Sequence, residues 1–166
     1  MGVFVYCYTA TGKSTAAKKY SNVIDMESTL FKYLNTTSEN EQEKGTIREV
    51  NPDYPQNYFD ALELVKNKYD YILISDSICN QWLREHSYRY WQVYPSIVLK
   101  EEYLNRMRMR GNNQDFINYQ SKLWEVWVND CKNDKYAEKC IELKSNQHLE
   151  DVLPNLKLKV ENDRFY

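Results

Sequence analysis

Hydrophobic and polar positions in this chain switch repeatedly between a period near two and a period near 3.6. Val3-Phe4-Val5-Tyr6-Cys7 is a short apolar run of β-branched and aromatic residues and predicts a buried strand. Ser14 to Tyr20 then reads as a helix. Ser21-Asn22-Val23-Ile24-Asp25 predicts a very short strand ending in an acid, and Met26 to Leu34 a helix with Leu30, Phe31 and Leu34 on one face. Residues 35 to 53 are polar, broken by Gly45 and Pro52, and carry no period. A loop of that length in a compact domain is usually functional or mobile.

Pro55 opens the next helix, with Tyr58, Ala61, Leu62 and Val65 at helical spacing. Tyr71-Ile72-Leu73-Ile74-Ser75-Asp76 is apolar nearly throughout, as a parallel strand covered on both faces should be. A helix from about Ser77 to His86 precedes a strand, Tyr90 to Tyr94, closed by Pro95. Two helices, roughly 98 to 110 and 113 to 131, flank Gly111-Asn112-Asn113. Cys140-Ile141-Glu142-Leu143 predicts the last strand and His148 to Leu153 a short helix; the charged tail after Pro154 is expected to lie on the surface or fray. Such alternation demands a parallel sheet with right-handed crossovers and helices on both faces, a three-layer α/β/α architecture. Ligands then sit beyond the carboxyl ends of the strands, where Cys7, Asp25, Asp76 and Pro95 fall.

The 166 residues suit one domain with one core, so 1–166 is expected to be a single unit. A net charge of −2 and a pI near 5.8 argue against a protein that mainly coats nucleic acid, although a local basic pocket stays open. Cys7, Cys79, Cys131 and Cys140 show no metal-ligand spacing, and His86 and His148 stand alone, so free buried thiols in a reducing compartment are expected. No basic n-region precedes the first apolar run, no 18-residue apolar stretch exists, and Tyr6 breaks the myristoylation pattern. The expected location is cytoplasmic. The chain is rich in tyrosine, which the sequence alone does not explain.

Gly12-Lys13-Ser14-Thr15 changes the picture. Strand, loop, Gly-Lys-Ser, helix is the context of a phosphate-binding P-loop. The backbone of Thr9, Ala10, Thr11, Gly12, Lys13, Ser14 and Thr15 is expected to surround phosphate oxygens. Lys13, expected to face solvent, adds charge near the β- and γ-phosphates, and the Ser14 hydroxyl can ligate Mg²⁺. The full pattern asks for Gly where Cys7 stands; a negative φ there lets a small residue serve.

Asp76, ending an apolar strand, has the Walker B placement for reaching Mg²⁺; a helix cap is the competing role. Asp25 can polarise an acceptor hydroxyl or hold a Mg²⁺ water, with capping again the alternative. Arg106 and Arg110, four apart, share a helix face that suits a lid closing on transferring phosphates, whereas Arg108 points away. A solvated face pairing with Glu101 or Glu102 is the plainer reading. Lys44, Arg48 and Tyr54 flank the long loop, and an arginine there suits an acceptor phosphate, though a solvated loop would carry the same residues. Arg84 and Arg89 are lesser candidates, and Trp124 and Trp127 read as core rather than as base-stacking platforms.

The GKST loop, the Val-Ile-Asp strand end, the Leu-Ile-Ser-Asp strand, the Leu-x-Arg-x-x-x-Arg segment and the closing Ile-Glu-Leu strand together resemble the nucleoside monophosphate kinase family of P-loop kinases. Residues 48 to 58, 93 to 95, 103 to 112 and 124 to 127 look like small kinase-like proteins of bacteriophages and prophages. The resemblance runs to about residue 153. It implies a five-stranded core in the order 2-3-1-4-5 with a short helical lid over about 103–115. It also implies ATP and Mg²⁺ as cofactors and an acceptor region over about 26–58. Lys13 and Ser14 would contact phosphate and Mg²⁺, and Arg106 and Arg110 would be lid arginines. The expected activity is ATP-dependent phosphorylation of a nucleoside or deoxynucleoside monophosphate. A kinase of another small hydroxylated acceptor or of a polynucleotide 5′ end, and a non-catalytic nucleotide-binding regulator, are the alternatives. Small nucleotides are the expected partners, membranes and nucleic acid are not, and monomer and homodimer both stay open.

Overall fold

A computed structural model describes residues 1–34 and 48–160. Five strands form one parallel sheet: β1 (Val3–Cys7), β2 (Val23–Asp25), β3 (Tyr71–Ile74), β4 (Tyr90–Pro95) and β5 (Lys139–Leu143). Their order is β2-β3-β1-β4-β5, that of P-loop kinase-like α/β folds. The helices are α1 (Lys13–Lys19), α2 (Thr29–Lys32), α3 (Gln56–Val65), α4 (Ile78–Glu85), α5 (Lys100–Met109), α6 (Gln114–Lys132) and α7 (Leu149–Val152).

Alternation along β1 sets the two faces of the sheet. Val3, Val5 and Cys7 pack with Ala16 of α1 and Leu149 of α7, together with Leu73, Val93 and Leu143 from neighbouring strands. Phe4 points the other way, into a cluster with Tyr58 and Leu62 of α3 and Trp82 and Leu83 of α4. Tyr6 joins that cluster to a third, where Tyr8 and Tyr94 meet Tyr103 and Met107 of α5 and Trp124 of α6. β1 and β3 are buried on both faces because helices cover both, and this is why they read as unbroken apolar runs. Much of the tyrosine excess is structural: Tyr58, Tyr90 and Tyr103 are among the largest fully buried side chains.

Two local expectations are corrected and one is narrowed. The helix expected over 26–34 is the single turn α2, because β-type pairing takes both its ends. The Met26 N–H donates to Leu73 O, and Tyr33 bridges to Val50. The tail, as far as it is described, lies on the surface but does not fray. The Ser21 N–H donates to Lys157 O, the Lys159 N–H to Lys19 O, and Asn22 clasps Asn155 and Lys157. Of the four free thiols three are buried, but Cys140 on the edge strand β5 is exposed. Among the described residues no helix is long and apolar enough to cross a membrane.

Candidate functional site

The carboxyl end of β1 runs into the loop that precedes α1. From Thr9 through Thr15 no N–H donates to a protein group among the described residues. The loop is shaped by two left-handed residues, Ala10 (φ 65°) and Gly12 (φ 99°). Glycine adopts that conformation freely, whereas alanine is strained in it by about 1 kcal/mol. The loop carbonyls are used elsewhere: Tyr8 O accepts from Thr11 Oγ1, Thr11 O from the Leu149 N–H, and Ala10 O from Arg106 Nη1. Cys7 needs no positive φ, so its replacement of glycine leaves the loop path intact. Its thiol is fully buried and donates to Val5 O at 3.2 Å, and burial pushes its pKa well up.

Lys13 does not face solvent, contrary to the expectation. Its side chain is 12% exposed, and Nζ lies 2.9 Å from Asp25 Oδ1 and 3.0 Å from Glu27 Oε2. The reason is sheet order: with β3 between them, β1 and β2 end close enough for the loop lysine to meet the acid that ends β2 and the one just after it. Burial opposes the ammonium charge, but Glu27 and Asp25 outweigh it and raise the Lys13 pKa. Burial likewise pushes Glu27 up, yet Lys13 and the Thr29 N–H bring it below the usual carboxylate range. The Ser14 hydroxyl donates to Asp25 Oδ2 at 3.0 Å, so one carboxylate holds both signature side chains.

Asp76 is not seen in contact with Ser14. Its Oδ2 accepts from Tyr54 OH at 2.7 Å and Ser28 Oγ at 3.1 Å, and its Oδ1 accepts the Ile78 N–H. It thus ties the residues after β2 and before α3 to the end of β3, while also capping the start of α4. Tyr54 is brought to the site, its phenol pKa raised by burial and by the Asp76 carboxylate. Arg48 lies over the Tyr33 ring, 5.3 Å from its centroid. Lys44 falls outside the described residues.

The two arginines expected to act together differ in their surroundings. Arg106 reaches the loop: besides Ala10 O it contacts Gln147 O, pairs with Glu102 at 2.7 Å and lies 4.4 Å from the Tyr103 ring centroid. Glu102 is itself anchored by Ser145 Oγ and the Asn146 N–H. α5 ends at Met109, and Arg110, past the last turn, is exposed with no side-chain bond among the described residues. Arg108 is exposed as well. Tyr103, Leu104 and Met107 bury the inner side of α5 in the core.

A cleft of about 810 Å³ opens beside the loop, over the face that carries α4 and α6. Thr9, Ser28, Lys32 and Asp76 line it near the strand ends, and Gln92, Gln120 and Asp134 line it further over the sheet. Arg84 belongs to this wall and pairs with Asp134, whereas Arg89 pairs with Glu138 away from it. Trp124 is core, as expected, but Trp127 lines the cleft. Sequence reading missed Glu27, Gln92 and Gln120. The two glutamines did leave a signal, each being a lone polar residue on a buried strand or an apolar helical stripe. Among the described residues no three His, Cys, Asp or Glu side chains gather as a ready metal site.

No family model matches the sequence, and no curated protein matches it. Among solved structures the chain is similar to the tunicamycin resistance protein of Deinococcus radiodurans. The TM-score is 0.50 and the identity 11%, over 85% of this chain and 86% of that one. At that identity the likeness shows the fold alone: a kinase-like α/β architecture is what the two chains share.

Proposed function

We propose that this chain is an ATP-dependent phosphotransferase acting on a nucleoside or deoxynucleoside monophosphate. One observation carries the reading: a run of undonated N–H groups from Thr9 to Thr15 sits beside Lys13, Ser14 and a nucleotide-sized cleft. ATP and Mg²⁺ fit these donors. Free amides suit phosphate oxygens, and Ser14 Oγ with the Asp25 carboxylate supplies hard oxygen ligands of the kind Mg²⁺ prefers. Asp76 is the further acid at the strand ends. When bound, Mg²⁺ neutralises charge on the phosphates.

The chain's own groups then do the positioning that phosphoryl transfer mostly requires. Lys13 exchanges a carboxylate for phosphate oxygens and keeps its charge over the transferring group. Arg106, fixed by Glu102 and the Tyr103 ring, braces the loop from the side of α5. The acceptor lies in the cleft, where Lys32 and Arg84 supply positive charge and Asp76 sits near the reacting end. Tyr54, bonded to Asp76, and Arg48, over the Tyr33 ring, stand on the acceptor side, and Arg110 caps the end of α5 in the lid segment.

The test is ADP release with ATP, Mg²⁺ and each of the common ribo- and deoxyribonucleoside monophosphates. Turnover dependent on one of them is expected. Tight ATP binding with no turnover on any acceptor would favour a nucleotide-binding regulator instead.

A further inference from the structure

The cleft beside the loop holds polar atoms that no protein group satisfies. Gln92 and Gln120 are 2% and 5% exposed, and neither side-chain carbonyl accepts a hydrogen bond. Asn80 Oδ1 and Tyr8 OH are buried without partners on the same walls. Of six such atoms among the described residues four belong to this cleft, which marks a place built around a ligand rather than scattered packing faults.

Gln92 is the informative member because its amide is fixed. Its Nε2 donates to Asp134 Oδ2 at 2.8 Å. Asp134 also accepts from Tyr90 OH and the Tyr136 N–H and faces Arg84, and its side chain is 3% exposed. An ionised carboxylate only accepts, so the amide cannot turn over, and Gln92 Oε1 remains a committed acceptor. Gln120 stands on α6 in a stripe with Phe116, Trp127 and Cys131 at helical spacing, all lining the cleft. The ring faces of Phe116 and Trp127 suit a planar ligand. Among the buried, unpartnered atoms of the cleft three are carbonyl oxygens and one, Tyr8 OH, can donate, so the complementary group is a flat heterocycle with more than one N–H on an edge.

We infer that this part of the cleft is the base-binding end of the acceptor site, and that it takes an amino-bearing nucleobase (adenine, cytosine or guanine) over thymine or uracil. That the heterocycle is a nucleobase rests on the kinase reading above. The exocyclic amino group supplies N–H donors to Gln92 Oε1 and Gln120. Thymine and uracil offer one ring N–H between two carbonyls, and those carbonyls meet a fixed acceptor lone pair to lone pair. The glutamine oxygens lie beneath the cleft surface, so side chains at its rim shift to admit the base. Tyr119, 55% exposed there, has room to do so.

The test is calorimetric binding of dAMP, dCMP, dGMP and dTMP to the full chain without ATP. The shared phosphate cancels and leaves base preference. At least one amino-bearing nucleotide is expected to bind about 10-fold or more tightly than dTMP. Gln120→Leu should weaken that nucleotide about 10-fold while raising Tm, because an unpaired buried amide becomes a packed side chain. A purely structural Gln120 would not move affinity. Equal or tighter dTMP binding, no binding of any of the four, or wild-type affinity in a folded Gln120→Leu variant overturns the inference. ADP release is measured separately. Base-selective binding without turnover defeats the kinase reading alone, and turnover without amino preference defeats this inference alone.

Discussion

Lys13 Nζ and Asp25 Oδ1 lie 2.9 Å apart, with Glu27 Oε2 3.0 Å from the same ammonium. The phosphate-binding charge of the loop is therefore already partnered. Replacing Lys13 by Ala leaves two acids facing each other in a largely buried spot. The variant should lose phosphoryl transfer and also about 1–3 kcal/mol of stability at neutral pH. Urea titration beside the ADP assay separates the two effects. Unchanged stability would mean that the pair contributes nothing to the fold.

Glu27 competes with phosphate for Lys13. Glu27→Gln removes one charged acceptor and should tighten ATP binding about 5-fold, the equivalent of roughly 1 kcal/mol. Isothermal titration measures it, and weaker binding in the variant would show that Glu27 helps the nucleotide rather than opposing it.

The same pair gives the fold a pH dependence. The folded pKa of Glu27 is depressed, so its stabilisation is present above its unfolded value and is lost as pH falls through the folded one. The folded pKa of Lys13 is raised, so its share is present below the unfolded value and is lost only as pH rises through the folded one. Tm should therefore hold across neutral pH and drop on the acid side of the carboxylate range. In Glu27→Gln the acid drop should be shallower. Identical acid limbs in the two proteins would rule Glu27 out as a contributor.

Cys7→Gly restores the residue that the loop pattern asks for, yet it empties a fully buried site and loosens the strand end. The lost packing and added backbone entropy together should cost about 2–3 kcal/mol. Cys7→Ala should cost less. A Cys7→Gly protein as stable as the parent on denaturant titration would mean that the site collapses around the missing side chain.

Arg106, Arg108 and Arg110 should rank unequally. Arg106→Ala breaks contacts with Ala10 O, Gln147 O and Glu102, and should lower kcat about 10- to 1,000-fold. Arg108→Ala and Arg110→Ala remove exposed charges and should change kcat only a few-fold. Steady-state kinetics on one identified acceptor decides it. A loss at Arg110 equal to that at Arg106 would show that the end of α5 closes on the substrate during turnover.

The strands were legible because each is a brief apolar run with a punctuated end, and their alternation with helices dictates a parallel sheet. The resemblance, not the periodicity, carried the strand order. The loop was legible from Gly12, Lys13 and Ser14, but the partner of Lys13 was not. Nothing in Asp25-Met26-Glu27 tells that both acids turn toward Lys13 until β2 is set beside β3. Helical phase put Arg106 and Arg110 on one face correctly. It could not show that Arg106 turns onto Ala10 O, Gln147 O and Glu102 while Arg110, directly after the end of α5, stays exposed. Asp76, expected to end the strand, lies two residues past Ile74, where β3 stops. Its bonds to Tyr54 and Ser28 depend on contacts across 22 and 48 residues of chain, which local pattern does not encode.

The placement of Trp127 equips the protein with an optical gauge. Trp82, Trp91 and Trp124 are sealed in the core, at 7%, 5% and 1% exposure, while Trp127 is partly open on the cleft wall against Tyr119. A planar ring entering the cleft changes the surroundings of that indole far more than those of the other three. Intrinsic fluorescence at tryptophan-selective excitation should therefore follow occupancy directly, without a label. Trp127→Phe should silence the signal while the three core indoles keep reporting the integrity of the fold.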